Sequence, residues 1–121
     1  MEVPFLMEKK VTLMLKEKKL NGDTEAILNY IESFQPGDWI YPGVLHRELG
    51  IALEDVYSIM ELFAENGLLR QHLEVFCINC RSFTGNIYET ISEIPESMKC
   101  VYCSAEISEP LQCAIVIYKV L

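Results

Sequence analysis

Basic side chains are scarce in this sequence. Its 121 residues hold 10 Lys and Arg against 18 Asp and Glu, for a formal net charge of −8, a balance that repels nucleic acids and anionic surfaces. Histidine is scarcer still. Only His46 and His72 are present, and neither sits in a recognisable nucleophile motif. No glycine-rich, phosphate-cradling loop occurs either, so catalysis has little to build on and a non-enzyme is expected. The carboxylates are spread along helix faces, a pattern of solvated surface rather than of an acid–base pair. Long apolar runs are missing as well. The longest, residues 113–118, is far short of the roughly 20 residues a bilayer-spanning helix needs. Early in the chain stand Glu2 and Glu8, with no long apolar block after positive charges, so the start does not read as a secretory signal. The expected location is the cytoplasm.

Half of the residues are apolar, ordinary for a folded chain, and the length allows one compact domain or two very small ones. Charge is unevenly distributed along it. Residues 1–21 carry +2, residues 22–76 carry −8 and residues 77–121 carry −2. These shifts divide the chain into three expected parts with the same boundaries, the middle one strongly acidic.

The strongest pattern is in the cysteines. Cys77-Ile78-Asn79-Cys80 is followed, after 19 residues, by Cys100-Val101-Tyr102-Cys103. Two residues between cysteines let both thiolates of a tight turn point at one ion, and two such turns complete the tetrahedral sulfur cage that zinc prefers. Cys77, Cys80, Cys100 and Cys103 are therefore the expected ligands of one structural Zn2+. A pair of disulfides is the bland alternative, disfavoured without an export signal; iron accepts the same four ligands. Four protein ligands leave no position for an activated water, so the metal builds structure. A segment of 45 residues is also too short to bury a self-sufficient core, whereas a structural zinc contributes on the order of 10–16 kcal/mol. Within this segment Thr84-Gly85-Asn86 reads as a turn. Residues 87–94 are rich in strand formers, although Ile87, Ile91 and Ile94 also fit a helical stripe. Residues 112–120 read as a buried strand containing Cys113, a core residue rather than a fifth ligand. The block resembles a zinc ribbon with a small antiparallel sheet, but Arg81 and Ser104 stand where glycine usually follows the second cysteine of each knuckle.

Upstream, Asp23 can cap a helix over residues 23–34 whose apolar positions are Ile27, Tyr30, Ile31 and Phe34, and Gln35-Pro36-Gly37 stops it. Pro42 pre-sets a short second helix carrying Val44, Leu45 and Leu49 and closed by Gly50. A third helix follows, with Glu54 and Asp55 in its first turn, a face of Val56, Ile59, Met60 and Phe63, and a left-handed cap at Asn66-Gly67. A strand over residues 69–77 leads to the first cysteine. This succession resembles a winged helix-turn-helix over residues 22–76. Joined to a four-cysteine ribbon, it is similar in layout to transcription initiation factors of the E-alpha kind and to small adaptor modules of bacterial defence and conflict systems. The resulting expectation is an α+β protein with an N-terminal amphipathic helix, a winged helix-turn-helix and a C-terminal zinc ribbon. Because one strand alone precedes the cysteines, residues 113–120 are expected to return and pair with residues 69–76.

The third helix argues against reading DNA. It carries Glu54, Asp55, Glu61 and Glu65 and no base, whereas recognition helices use Arg, Lys, Asn and Gln. A protein partner is the expected ligand; a nucleic-acid regulator acting through the N-terminal lysines or the ribbon is the alternative. Residues 4–20 fit an amphipathic helix, with Met7, Val11, Met14 and Leu15 on one side and Lys9, Lys10, Lys16, Lys18 and Lys19 away from them. Such a helix suits the neighbouring core, a docking partner, a second copy of the chain in a homodimer, or an anionic membrane surface.

Overall fold

A computed structural model of the chain describes Lys9, Lys10, Leu13 and residues 24–121, with side chains from residue 27 onward in the latter stretch. Lys9, Lys10 and Leu13 are helical and exposed; the rest of the expected amphipathic helix, and the Asp23 cap, lie outside the described residues. Three helices follow, α1 (Thr24–Glu32), α2 (Pro42–Leu49) and α3 (Leu53–Glu65), together with six strands: β1 (Trp39–Ile40), β2 (Leu69–Cys77), β3 (Ser82–Tyr88), β4 (Met98–Lys99), β5 (Glu106–Ile107) and β6 (Ala114–Val120). The fold is α+β. One sheet has the order β1-β6-β2-β3 and a second pairs β4 with β5. β2 and β6 are thus neighbours, the pairing expected from the sequence. The partner of β6 on its other side was not expected: β1 joins it antiparallel, Trp39 opposite Lys119 and Ile40 opposite Tyr118.

Two compact units emerge. One gathers the described residues up to Arg70 with Tyr118–Leu121, and the other is Gln71–Ile117. In the first, Ile27, Leu28 and Ile31 of α1 are buried, as are Leu45 of α2 and Val56, Ile59, Met60 and Phe63 of α3, the apolar stripes that periodicity requires. α2 and α3 pack against each other. Their ends follow local rules. Gly50 adopts φ 67° past α2 and donates to the His46 carbonyl. Past α3, Gly67 has φ 77° and donates to Ala64, and Leu68 donates to Phe63. That pair of bonds is a Schellman motif, which satisfies carbonyls the helix end would orphan.

The second unit has a small core of Val75, Cys77, Cys100 and Ile107, with Tyr88, Met98 and Cys113 packed against it. Here the sequence reading needs correction. Thr84-Gly85-Asn86 is not a turn between elements but a bulge inside β3: Leu73 and Glu74 face Tyr88 and Ile87, while Phe76 and Cys77 face Phe83 and Ser82, so the register shifts across Val75. Gly85 takes φ 81°, and side chains satisfy the interrupted backbone. The Glu74 carboxylate accepts from Gly85 N–H at 3.0 Å, Thr84 Oγ1 donates to the Val75 carbonyl at 2.7 Å, and Asn86 N–H donates to Thr84 Oγ1 at 3.2 Å. With its backbone groups paired, the strand continues. Residues 87–94 are neither one strand nor one helix, since β3 ends at Tyr88 and a 3-10 turn covers Ile91–Glu93. The final strand begins at Ala114 rather than 112, because Pro110 starts a 3-10 turn that runs to Cys113.

Candidate metal centre

Each cysteine pair lies at the bend of a hairpin. Cys77 is the last residue of β2 and Cys80 lies before β3; Cys100 follows β4 and Cys103 precedes β5. Arg81 and Ser104, one residue beyond each pair, have φ 56° and 61° and are, among the described residues, the non-glycine residues with positive φ. The left-handed position that glycine usually occupies is therefore kept without glycine. It turns the chain so that Ser104 N–H donates to the Cys100 carbonyl and Cys100 N–H to the Ala105 carbonyl, both at 2.9 Å.

The two bends bring four sulfurs together. The Sγ atoms of Cys77, Cys80, Cys100 and Cys103 all lie within 4.8 Å of one another, and Cys77–Cys103 and Cys80–Cys100 are each 3.7 Å apart. A disulfide is about 2.05 Å, and all five cysteines are free. By contrast, four sulfurs at about 2.3 Å from a central ion define a tetrahedron with an edge of about 3.8 Å. The spacing fits a metal ion and excludes the disulfide reading. The four cysteines form a candidate metal-binding site.

Its surroundings are asymmetric. Cys77 and Cys100, the first of each pair, are buried, while Cys80 and Cys103 are half-buried. The Asn79 side-chain amide donates to Cys103 Sγ at 3.5 Å; with the Ala105 backbone N–H it draws the Cys103 thiol down to about 6. Burial pushes the Cys80 thiol up to about 11. Donors aimed at a sulfur stabilise its thiolate, the form that ligates metal. Spacing alone identified the four candidate ligands but not Asn79, whose signal was an amide placed between two cysteines.

Cys113 ends the 3-10 turn before β6, half-buried against the second unit's core, and stands outside the four-sulfur group. It is a packing residue, though not one that alternates within the strand. The histidines are otherwise engaged. His46 Nδ1 contacts the Ile51 carbonyl oxygen at 2.5 Å, and buried His72 has Nε2 4.0 Å from the Glu89 carboxylate.

Along α3, Glu54, Glu61 and Glu65 are exposed, whereas Asp55 is buried, which reduces the expected exposed acids from four to three. Glu74 of β2 is buried too and serves the bulge. Tyr118 donates a short hydrogen bond to Glu61; burial, with that carboxylate beside it, holds the phenol well above its usual range. Among the described residues no helix is long and apolar enough to cross a membrane. Comparison with protein-family models, with curated proteins and with solved structures returns no match.

Proposed function

We propose that the four cysteines hold one structural Zn2+ and that the protein is a non-catalytic winged-helix and zinc-ribbon adaptor that docks on a protein partner. The sulfur geometry supports the metal: four thiolates fill a tetrahedral shell and leave no place for an activated water. The succession α1, α2, α3, β2, with β6 beside β2, supports a winged helix whose second wing strand arrives late in the chain. Carrying the docking reading is the outer face of α3, where Glu54, Glu61 and Glu65 are exposed and no Lys or Arg occurs from Leu53 to Glu65. In a major groove that face would meet phosphates with carboxylates. The resemblance in layout to defence-system adaptors and to initiation factors E-alpha gives the type of assembly, a defence or transcription complex in the cytoplasm.

The second reading is a regulator that binds nucleic acid through its N-terminal lysines or the ribbon, favoured by the exposure of Lys9 and Lys10. Fluorescence anisotropy with a labelled generic duplex, at rising salt, separates the two. The adaptor reading expects no binding into the tens of micromolar range at roughly physiological salt; micromolar binding that falls steeply with salt overturns it.

A further inference from the structure

Beside the first knuckle, within the second unit, lies an open cleft of about 360 Å3. Its apolar floor includes Ile107 and Cys113, and Ile78 and Asn79 stand on the knuckle side. Glu106 and Glu109, both exposed, supply its charge, and none of the lining residues is basic. A divalent ion held by the four thiolates would add a formal −2 to that side. The cleft is therefore apolar at its base and negative around it.

Ile78, which lines the cleft, is 75 % exposed. A large apolar side chain at such exposure on the rim of a cleft marks a surface that another chain covers. A small molecule filling 360 Å3 leaves the outer part of Ile78 wet. An extended segment of a partner covers it while placing one side chain inside.

We propose that this cleft is the docking site for a basic peptide segment of the partner, in which a Lys or Arg faces Glu106 and Glu109 and an adjacent apolar side chain packs on Ile78 and Ile107. Charge complementarity selects this occupant: the lining holds Glu106 and Glu109 and no basic residue, Lys99, opposite Glu106 across β4 and β5, standing outside it, and an acidic segment would be repelled. The proposal rests on the docking reading above and narrows it to one surface.

The test is an NMR titration of the 15N-labelled, zinc-loaded full chain with a short alternating Lys-Leu peptide and, in parallel, its Glu-Leu counterpart. Shifts at residues 78–79 and 105–113 are expected with the Lys-Leu peptide alone. A Glu106→Gln/Glu109→Gln double variant should keep its zinc and its spectrum but bind roughly tenfold more weakly. No shifts, or an equal response to the Glu-Leu peptide, overturn the proposal. Shifts confined to Glu54, Glu61 and Glu65 of α3 overturn the cleft while leaving the adaptor reading standing; that reading fails separately, in the duplex titration. A concentration-dependent dimer abolished by the double variant also overturns the proposal, by assigning the cleft to a second copy of the chain.

Discussion

Arg81 and Ser104 occupy equivalent places on the two knuckles, each one residue past a second cysteine and each left-handed, at φ 56° and 61°. A side chain in that region costs about 1–2 kcal/mol, partly offset by the unfolded-state entropy that glycine adds. Arg81→Gly and Ser104→Gly should each stabilise the protein by about 0.5–1 kcal/mol. Urea denaturation of the zinc-loaded chain checks this, and a loss of stability in both variants would show that the turns need their side chains.

Gly85 is the converse case. It sits at φ 81° in the β3 bulge, and a Cβ placed there meets nothing within 4 Å, so substitution strains the backbone without a steric clash. Gly85→Ala should destabilise by about 1–2 kcal/mol. An unchanged denaturation midpoint would mean that the bulge relaxes to another register.

Among the cysteines, Cys100→Ser and Cys113→Ala should behave oppositely. The former removes a buried member of the four-sulfur group; metal content should fall well below one zinc per chain, and amide dispersion for residues 71–117 should collapse, as it should when a chelator strips the wild type. Cys113→Ala should retain one zinc per chain. Plasma emission spectrometry gives the metal count, and iron instead of zinc would be seen in the same measurement.

Asn79→Ala deletes the amide that donates to Cys103 Sγ. The folded-state thiol is depressed, so its contribution is present above the unfolded pKa and is lost as pH falls through about 6. Without the amide that loss begins at higher pH. The variant should release metal at a higher pH than wild type and bind it about tenfold more weakly. Chelator competition across an acid titration measures both effects, and coincident curves would remove Asn79 from the site.

Much of this was legible in the sequence wherever the signal is local. Pro42, Gly50 and Gly67 mark the ends of α2 and α3 because each supplies its own backbone requirement, and the four sulfurs follow from spacing within two tight turns. What could not be read depends on distant partners. Thr84-Gly85-Asn86 carries turn chemistry, but Glu74, about ten residues earlier, satisfies the backbone and keeps the strand going. Trp39 and Ile40 are a strand because Lys119 and Tyr118 lie beside them, a pairing no window on either segment contains. Asp55 was assigned to the surface from its helix position, yet it is buried. The cleft was invisible for the same reason, since the 3-10 turn from Pro110 to Cys113 is what carries Cys113 to its floor.

The strand β6 is divided between the units, Ala114 to Ile117 belonging to one and Tyr118 onward to the other. On a ribosome α1, α2, α3 and both knuckles emerge before it, yet neither unit has its full set of described strands until this one is made. The helical part therefore waits, half-sheeted, through synthesis of the 47 residues from Gln71 to Ile117 that it does not own. The last of the described strands to be made is thus one on which both units depend.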